Sequence, residues 1–179
     1  VDMRLAEVTV QNYRSITTQT KFAVNELTTL VGPNNEGKSN LLRALALGMD
    51  VIQRWSLLPA SVARNGEISG SAASSVLRSR PSLRGSRLVN GYRWSEDYPL
   101  AKQDSRGTRP TLLKLLFQLE ADEVRAFTEQ TGITNNGSLP IEITLGRLSM
   151  TFGVVKPGRG AATHRAKSRE IAQFIASRI

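Results

Sequence analysis

The sequence predicts an α/β fold, and three observations indicate that class. Apolar and polar residues alternate in short segments before residue 32 and again after residue 110. Apolar residues recur at helical spacing in 41–52 and in 171–179. A glycine-containing loop, in the stretch LVGPNNEGKSNLL at 30–42, lies between the first strand patterns and the first helix pattern. Strands and helices that follow one another around such a loop predict a sheet covered by helices.

Three short strands are expected before the loop. Ala6 to Gln11 alternate between apolar and polar residues, which is the period of a half-buried strand. Residues 12–15 follow as a turn, residues 16–22 as a second, Thr-rich strand, and residues 26–31 as a third strand that runs directly into Gly32. The loop is therefore expected to begin at the end of a strand.

A helix is expected directly after the loop. Apolar residues recur at i, i+1, i+4, i+8 and i+11, namely Leu41, Leu42, Leu45, Met49 and Ile52. Leu47 and Val51 widen the apolar face. A helix that is apolar over so wide an arc is predicted to be buried against a sheet.

Regular structure is predicted again in the last third of the chain. We expect a strand at 113–119, a helix that Asp122 caps and Gly132 ends, and a hairpin of strands at 141–145 and 148–154. A basic loop at 156–167 then precedes a final amphipathic helix at 171–179. Because that helix reaches the last residue, we expect its apolar face to need a partner from outside the chain, as in a truncated protein.

Residues 56–95 are dominated by Ser, Gly and Arg. This composition is typical of a flexible surface insertion, which we extend to about residue 110. The alternative is a basic arm that contacts nucleic acid, for which Tyr92, Trp94 and Tyr98 would offer stacking surfaces.

The composition of the chain favours anionic partners. Lys and Arg number 24 against 15 Asp and Glu, which gives a net charge of +9, and the pI is near 10.6. Such a charge favours nucleic acid or nucleotide phosphates. The absence of cysteine excludes disulfides, thiolate metal sites and a Cys nucleophile, and it fits a reducing cytoplasm, which is the expected location.

The loop carries the clearest chemistry. Gly32, Gly37, Lys38 and Ser39 match the phosphate-binding pattern G-x-x-x-x-G-K-S in full. In that pattern successive backbone N–H groups and the positive end of the following helix surround the phosphates. Lys38 is expected to reach the β- and γ-phosphates and Ser39 to ligate Mg²⁺. The sequence thus predicts ATP and Mg²⁺ as cofactors.

Three further residues are weaker candidates. Arg14, in the turn after the first strand, is suited to contact a phosphate or the base, and the alternative is a solvated surface Arg. Gln103 is a candidate to sense Mg²⁺ or the attacking water, and the alternative is a surface glutamine. His164 is the only histidine and lacks a Cys or second His with which to share a metal, so we expect it to be exposed to solvent.

Several stretches resemble a known group of proteins. VTVQNYRSI at 8–16 and LTTLVGPNNEGKSNLLRAL at 27–45 resemble the N-terminal start of the ABC-type ATPases that act on DNA, which include the SMC, RecF-like and OLD groups. YRWSEDYP at 92–99, FQLEADEVRAFTEQTG at 117–132 and LPIEITL at 139–145 are most similar to OLD-like ATP-dependent endonucleases, some of which serve in phage defence.

The resemblance implies a P-loop NTPase fold, the N-terminal lobe of an ABC-type ATPase with a mixed sheet and flanking helices. It implies that Asn12 and Arg14 belong to a nucleotide-contacting turn and that Gln103 occupies the region of the Q-loop, where it would act with Lys38 and hold Mg²⁺. The residues that it assigns to the phosphate loop are Gly32, Pro33, Asn34, Asn35, Glu36, Gly37, Lys38, Ser39 and Asn40.

The sequence also departs from that group. It contains no Ser-Gly-Gly signature motif, no apolar strand that ends in Asp-Glu and no acidic nuclease segment. We therefore expect an N-terminal lobe that binds ATP with little or no turnover alone, within a longer protein that is an ATPase, forms a homodimer, acts on DNA and carries an ATP-regulated endonuclease.

Two other functions are weighed against this expectation. The first is a basic nucleic-acid-binding module without ATPase activity, in which the loop is incidental. The second is a P-loop kinase or GTPase. It is disfavoured because the chain lacks an early Asp-x-x-Gly switch and a base-reading Asn-Lys-x-Asp.

Overall fold

The computed structural model describes residues 3–32, 37–78, 91–105, 109–155 and 160–179. Within these ranges the strands are β1 (Arg4–Gln11), β2 (Thr20–Ala23), β3 (Glu67–Ser69), β4 (Thr111–Gln118), β5 (Ser138–Leu145) and β6 (Ser149–Val154). The helices are α1 (Gly37–Leu57), α2 (Gly70–Arg78), α3 (Trp94–Asp97), α4 (Leu100–Gln103), α5 (Ala121–Thr131), α6 (Ala161–Ala166) and α7 (Ser168–Ala176).

The strands form one six-stranded sheet in the order β2-β1-β4-β5-β6-β3. Every pairing among the described strands is antiparallel. Val8 lies opposite Leu115, which lies opposite Ile141, so that apolar residues of neighbouring strands share one face. The α/β class is confirmed, while the parallel part of the expected mixed sheet is not among the described pairings.

One face of the sheet is buried under helices α1 and α7, and the other is more polar. Alternate residues of β4 and β5 are buried, as a sheet with one covered face requires. The other face carries two ion pairs between neighbouring strands, Lys114 with Glu142 at 3.0 Å and Lys21 with Glu7 at 2.8 Å. The predicted strands 6–11, 113–119, 141–145 and 148–154 correspond to β1, β4, β5 and β6.

Helix α1 lies against the sheet, as predicted, but turns a somewhat different face to it. Leu42, which was placed on the buried face, is 53% exposed. Gly48 faces the sheet instead, where a Cβ atom would lie 3.1 Å from Leu115 Cδ1. The missing side chain allows the helix to approach β4 closely. The buried residues of α1 are Asn40, Ala44, Leu47, Gly48, Val51, Ile52, Trp55 and Ser56.

Helix α7 packs along α1, so its apolar face has a partner within the chain. Phe174 and Ile175 are fully buried. The indole of Trp55 in α1 donates from Nε1 to Ser168 Oγ at 3.3 Å and stacks on Phe152 of β6, with ring centroids 5.4 Å apart. The expectation that this face needs an outside partner is therefore wrong.

The third predicted strand, at 26–31, is not a strand in the structure. A strand forms only where it exchanges hydrogen bonds with a neighbour, and the described residues 26–31 pair neither with β1, which β2 and β4 flank, nor with the open edge of β2. Instead, Asn25 N donates to Thr28 Oγ1 at 2.9 Å in a local turn. Leu27 and Val31 are 86% and 88% exposed.

The segment that we interpreted as a flexible surface insertion is partly built into the fold. Strand β3 pairs with β6 at the edge of the sheet, and α2 follows it. Tyr92 and Tyr98 are buried rather than available as stacking surfaces. Residues 79–90 and 106–108 lie outside the described residues, and the insertion boundary at about 56–110 stays a prediction.

Two expectations about helix ends and loops are wrong. The N-cap of α5 is Glu120, which forms a capping box with Glu123, whereas Asp122 lies in the first turn and pairs with Arg125. Within the predicted basic loop at 156–167, residues 161–166 form α6. The expectation that His164 is exposed is also wrong, since it is buried in α6 and its Nδ1 lies 2.6 Å from the Gly160 carbonyl oxygen.

Two glycines with left-handed backbone allow a test of how β3 is attached to the sheet. Gly66 and Gly132 both have φ of +72°, but a Cβ on Gly66 would lie 2.5 Å from the Phe152 carbonyl oxygen, whereas a Cβ on Gly132 would meet nothing within 4 Å. We expect Gly132→Ala to lower the free energy of unfolding by about 1–2 kcal/mol through backbone strain alone. Gly66→Ala should cost about 1–3 kcal/mol more because the backbone must also shift. Urea unfolding of both variants measures the difference, and equal losses would contradict the contact between Gly66 and Phe152.

Candidate functional site

The two ends of the glycine-containing loop lie on either side of a short gap in the described residues. Gly32 is exposed before the gap, and Gly37 begins α1 after it. Lys38 Nζ donates to the Gly32 carbonyl oxygen at 2.6 Å, so the lysine side chain reaches back across the mouth of the loop. The four loop residues Pro33, Asn34, Asn35 and Glu36 lie outside the described residues.

The first turn of α1 is tied to the turn that follows β1. Asn40 is fully buried, and its Nδ2 donates to Ser15 Oγ at 2.9 Å. Its Oδ1 accepts a hydrogen bond from Arg43 Nη1 at 3.3 Å. Because Nδ2 and Oδ1 of the Asn40 amide both form hydrogen bonds, Asn40 joins α1, the helix after the loop (called the loop helix below), to the turn. Its predicted contact with nucleotide stays a prediction.

The turn at 12–16 has an unusual backbone. Asn12 and Arg14 have φ of 55° and 49°, in the left-handed region that residues with a side chain rarely adopt. Reciprocal backbone hydrogen bonds between Tyr13 and Ile16, at 3.0 and 2.8 Å, close the turn. A long side chain such as that of Arg14 keeps this conformation only where the surroundings hold it, and such positions are concentrated at functional sites.

Arg14 is held by Asp97, the last residue of α3. Arg14 Nε and Nη2 each lie 2.8 Å from Asp97 Oδ1, and the backbone N–H of Arg14 donates to the Asp97 carbonyl oxygen at 2.6 Å. Burial lowers the pKa of the Arg14 guanidinium, but the charges and hydrogen bonds of Tyr13 and Asp97 outweigh it and raise the pKa overall. Burial and the Asp97 carboxylate also raise the pKa of the Tyr13 hydroxyl.

Asn12 is the second anchor of the turn and is also buried. Its Oδ1 accepts a hydrogen bond from Lys102 Nζ at 2.8 Å, and its Nδ2 donates to the Pro110 carbonyl oxygen at 3.3 Å. Its own carbonyl oxygen accepts from Thr111 Oγ1 at 2.5 Å. The structure thus shows Asn12 as a residue that positions the turn, and its predicted contact with nucleotide stays a prediction.

The two residues predicted to hold Mg²⁺ lie in different elements. Ser39 is exposed in the first turn of α1. Gln103 ends α4, and its Nε2 donates to the carbonyl oxygens of Ser95 and Tyr98 at 3.2 and 3.0 Å. These bonds give Gln103 a local role between α3 and α4, while its role toward Mg²⁺ or water stays a prediction. In the described ranges no group of three or more His, Cys, Asp or Glu residues is suited to hold a metal ion.

A pocket of about 370 Å³ lies beside the start of α1. Gly37 and Leu41 form one side of it, and the chain from the turn into β2 forms the other. The second side carries the apolar side chain of Ile16 and several hydroxyl groups, which come from Ser15, Thr17, Thr18 and Thr20. The pocket therefore adjoins Gly37, where α1 begins, and Ser15, which follows Arg14 in the turn.

Sequence reasoning missed two residues that the structure brings to this turn, Asp97 and Lys102. Both lie more than 80 positions away along the chain, in a segment that composition assigned to a surface insertion. The one signal for Asp97 in the sequence is its place in the short, aromatic and acidic stretch WSEDYP at 94–99, which stands out from its Ser- and Arg-rich surroundings.

Comparison with known protein families finds a match to the model of the AAA ATPase domain over residues 3–51. The matched stretch contains β1, the turn, β2, the loop and most of α1, which are the parts that form the site described above. The match supports nucleotide binding and ATPase function of the AAA/P-loop class. A search of curated proteins finds no match. No helix in the described residues is both long and apolar enough to span a bilayer.

The link between the loop helix and the turn can be measured with a double-mutant cycle. Asn40→Ala removes a buried amide, and we expect it to lower the free energy of unfolding by about 1–3 kcal/mol. Ser15→Ala should cost less by itself because Ser15 is exposed. The two changes should couple by about 0.5–1.5 kcal/mol in urea unfolding, since they share one hydrogen bond. Strictly additive losses would show that the bond between Asn40 and Ser15 does not form in solution.

Proposed function

We propose that this chain binds Mg-ATP at the loop that Gly32 and Lys38 enclose, as the nucleotide-binding lobe of an ATPase. The observation that carries the proposal is the position of Lys38. Its ammonium group lies at the mouth of the loop and donates a hydrogen bond to the Gly32 carbonyl oxygen, 2.6 Å away. With a triphosphate in the loop, the Lys38 ammonium group would donate to phosphate oxygens instead of that carbonyl oxygen. Phosphate oxygens are charged and therefore stronger acceptors.

The start of α1 is suited to a polyanion. The first turn of α1, a 21-residue helix, contains no acidic residue, and the N-terminal end of a helix offers N–H donors and partial positive charge to an anion. The match to the AAA ATPase domain covers this same stretch. Both observations support phosphate binding at Gly37 to Ser39.

The pocket beside the loop is suited to hold the ribose and base of the nucleotide. Its volume of about 370 Å³ falls within the range of small-molecule sites. Ile16 and Leu41 offer apolar contact to a base, and the Thr hydroxyls offer hydrogen bonds to a ribose. We assign the ribose and base to this pocket because it is continuous with Gly37.

Mg²⁺ fits the residues at the loop because this ion takes few protein ligands and completes its shell with phosphate oxygens and water. The exposed hydroxyl of Ser39 would supply the protein ligand. When bound, the ion neutralises part of the negative charge of the phosphates. Lys38 and the N–H groups of the loop would hold the same phosphates from the protein side.

The full protein is proposed to use this lobe in DNA processing of the OLD or RecF type, with the signature surface of a second copy completing the site. The proposal is supported by the resemblance of 8–16 and 27–45 to those proteins and by the net charge of +9. ATP bound between two copies would then couple to closure of a homodimer on DNA, and an endonuclease in the longer protein would be regulated by it.

Lys38→Ala tests the nucleotide site directly. We expect calorimetric titration with Mg-ATP to show an affinity at least about 100-fold lower than that of the unchanged chain, because the variant loses charge-assisted hydrogen bonds to two phosphates. The matched control is Lys114→Ala, which removes a lysine of the polar sheet face that is paired with Glu142. The control should bind as the unchanged chain does. Equal affinities of all three proteins would refute the site.

DNA binding is the second candidate function, and the basic composition favours it. We expect binding to a fluorescent duplex to weaken by orders of magnitude between about 50 and 200 mM salt, because counterions are released from each contacted phosphate. Lys38→Ala should leave this affinity nearly unchanged if the surface, not the loop, contacts DNA. Salt-independent affinity, or no affinity at 50 mM salt, would remove DNA from the proposed partners of this chain.

A further inference from the structure

The ion pair between Arg14 and Asp97 has the properties of a positioning contact. The Asp97 side chain is 5% exposed, while that of Arg14 is 36% exposed. One end of the pair is thus fixed inside the protein, and the other is open to the surface beside the loop helix. The backbone bond from Arg14 N to the Asp97 carbonyl oxygen, at 2.6 Å, fixes the main chain at the same place.

Asp97 is itself held in place. Its Oδ2 accepts the backbone N–H of Arg93 at 2.8 Å, which leaves Oδ1 for the Arg14 guanidinium. Tyr98, the next residue, is buried and stacks on Trp94 with ring centroids 5.2 Å apart. The carboxylate is therefore presented to Arg14 from a packed element.

We infer that Asp97 is a positioning residue of the nucleotide site, and that it aims the Arg14 guanidinium at the phosphates or base of a bound nucleotide. The inference rests on the proposed function. A guanidinium has five N–H donors in a rigid fork. Asp97 Oδ1 pairs with Nε and Nη2, and the guanidinium carbon lies 5.7 Å from the centre of the Tyr13 ring, so these two neighbours fix the plane in which Nη1 lies.

The benefit of this arrangement is pre-organisation. A free arginine side chain loses much of its rotamer freedom when it binds a ligand, which weakens binding. An arginine that Asp97 already holds has lost that freedom on folding. Because the Asp97 carbonyl oxygen also accepts the backbone N–H of Arg14, Asp97 holds both the main chain and the side chain of that residue.

Lys102 holds a second part of this region, next to a residue that lines the pocket. Its ammonium group donates to Asn12 Oδ1 at 2.8 Å and to the Thr17 carbonyl oxygen at 2.6 Å. Thr17 lines the pocket beside Gly37. Residues 91–105 therefore support the turn at two points, through Asp97 and through Lys102.

The experiment compares Mg-ATP binding by calorimetry in Asp97→Asn and in a matched control, Glu96→Gln. The control makes the same chemical change one residue earlier, in a pair with Arg93 that is 58% exposed on both sides. We expect Asp97→Asn to lose about tenfold in affinity, the order expected for one charge-assisted hydrogen bond, and Glu96→Gln to lose none. Unchanged or tighter binding by Asp97→Asn would overturn the inference, and tighter binding would mean that Asp97 withholds Arg14 from the ligand.

A second comparison separates positioning from general support of the fold. In an Arg14→Ala background, Asp97→Asn should cause no further loss of affinity, because the residue through which it acts is gone. A tenfold loss in that background as well would show that Asp97 acts by stabilising the fold alone. Urea unfolding of each variant confirms that the proteins titrated are folded.

Arg14→Lys tests the inference with Asp97 left in place, should Asp97→Asn fail to fold. Lysine keeps the charge and has three N–H donors, but it lacks the planar fork, so its ammonium cannot reproduce the two oriented edges that a guanidinium presents to Asp97 and to a ligand. We expect a loss of about tenfold, the order for one charge-assisted hydrogen bond, and full affinity would overturn the inference. If the unchanged chain binds no Mg-ATP, the proposed function fails and the inference fails with it. If that chain binds and Lys38→Ala does not, the Asp97 and Arg14 variants decide the inference alone.

Discussion

The packing of helix α1 on the sheet is the constraint on which the site depends. Gly48 lets the helix approach β4 so closely that a Cβ there would lie 3.1 Å from Leu115 Cδ1, and Trp55, two turns later, is fully buried between Phe152 and Ser168. A helix is stiff over this length, so contacts in its middle and last turns fix the position of its first turn. The place of Lys38 at the mouth of the loop therefore follows from the hydrophobic core.

The turn after β1 connects this fixed helix to the segment at 91–105. Asn40 bonds to Ser15 from the helix side, while Asp97 and Lys102 bond to the turn from the other side. The contacts are polar and partly shielded from water, and hydrogen bonds gain strength where water is excluded. Such a network favours one arrangement of the turn, which is the property that the proposed role of Arg14 requires.

Local sequence patterns were sufficient for the parts of the fold in which burial alternates over several residues. Strands β4 and β5 each bury every second residue over eight positions, and the alternation is visible in the sequence. Strand β3 has three residues, too few for a period to be recognised among Ser, Gly and Arg. The stretch at 26–31 has strand composition but makes no pairing with the described strands. Asp97 was missed for another reason, since its bond to Arg14 spans 83 positions and leaves no local pattern.

The groups that the fold brings together are suited to bind an anionic ligand. Lys38 and the first turn of α1 offer positive charge and N–H donors, Arg14 adds a guanidinium near the same helix, and the pocket at Ile16 and Leu41 offers room for a base. Transfer of a phosphoryl group requires, in addition, a residue that orients the attacking water. The acid that lies close to Arg14, Asp97, is committed to that arginine on one oxygen and to Arg93 N on the other. A carboxylate used in this way contributes orientation rather than proton transfer, so the part of Asp97 in the proposed site is to position Arg14.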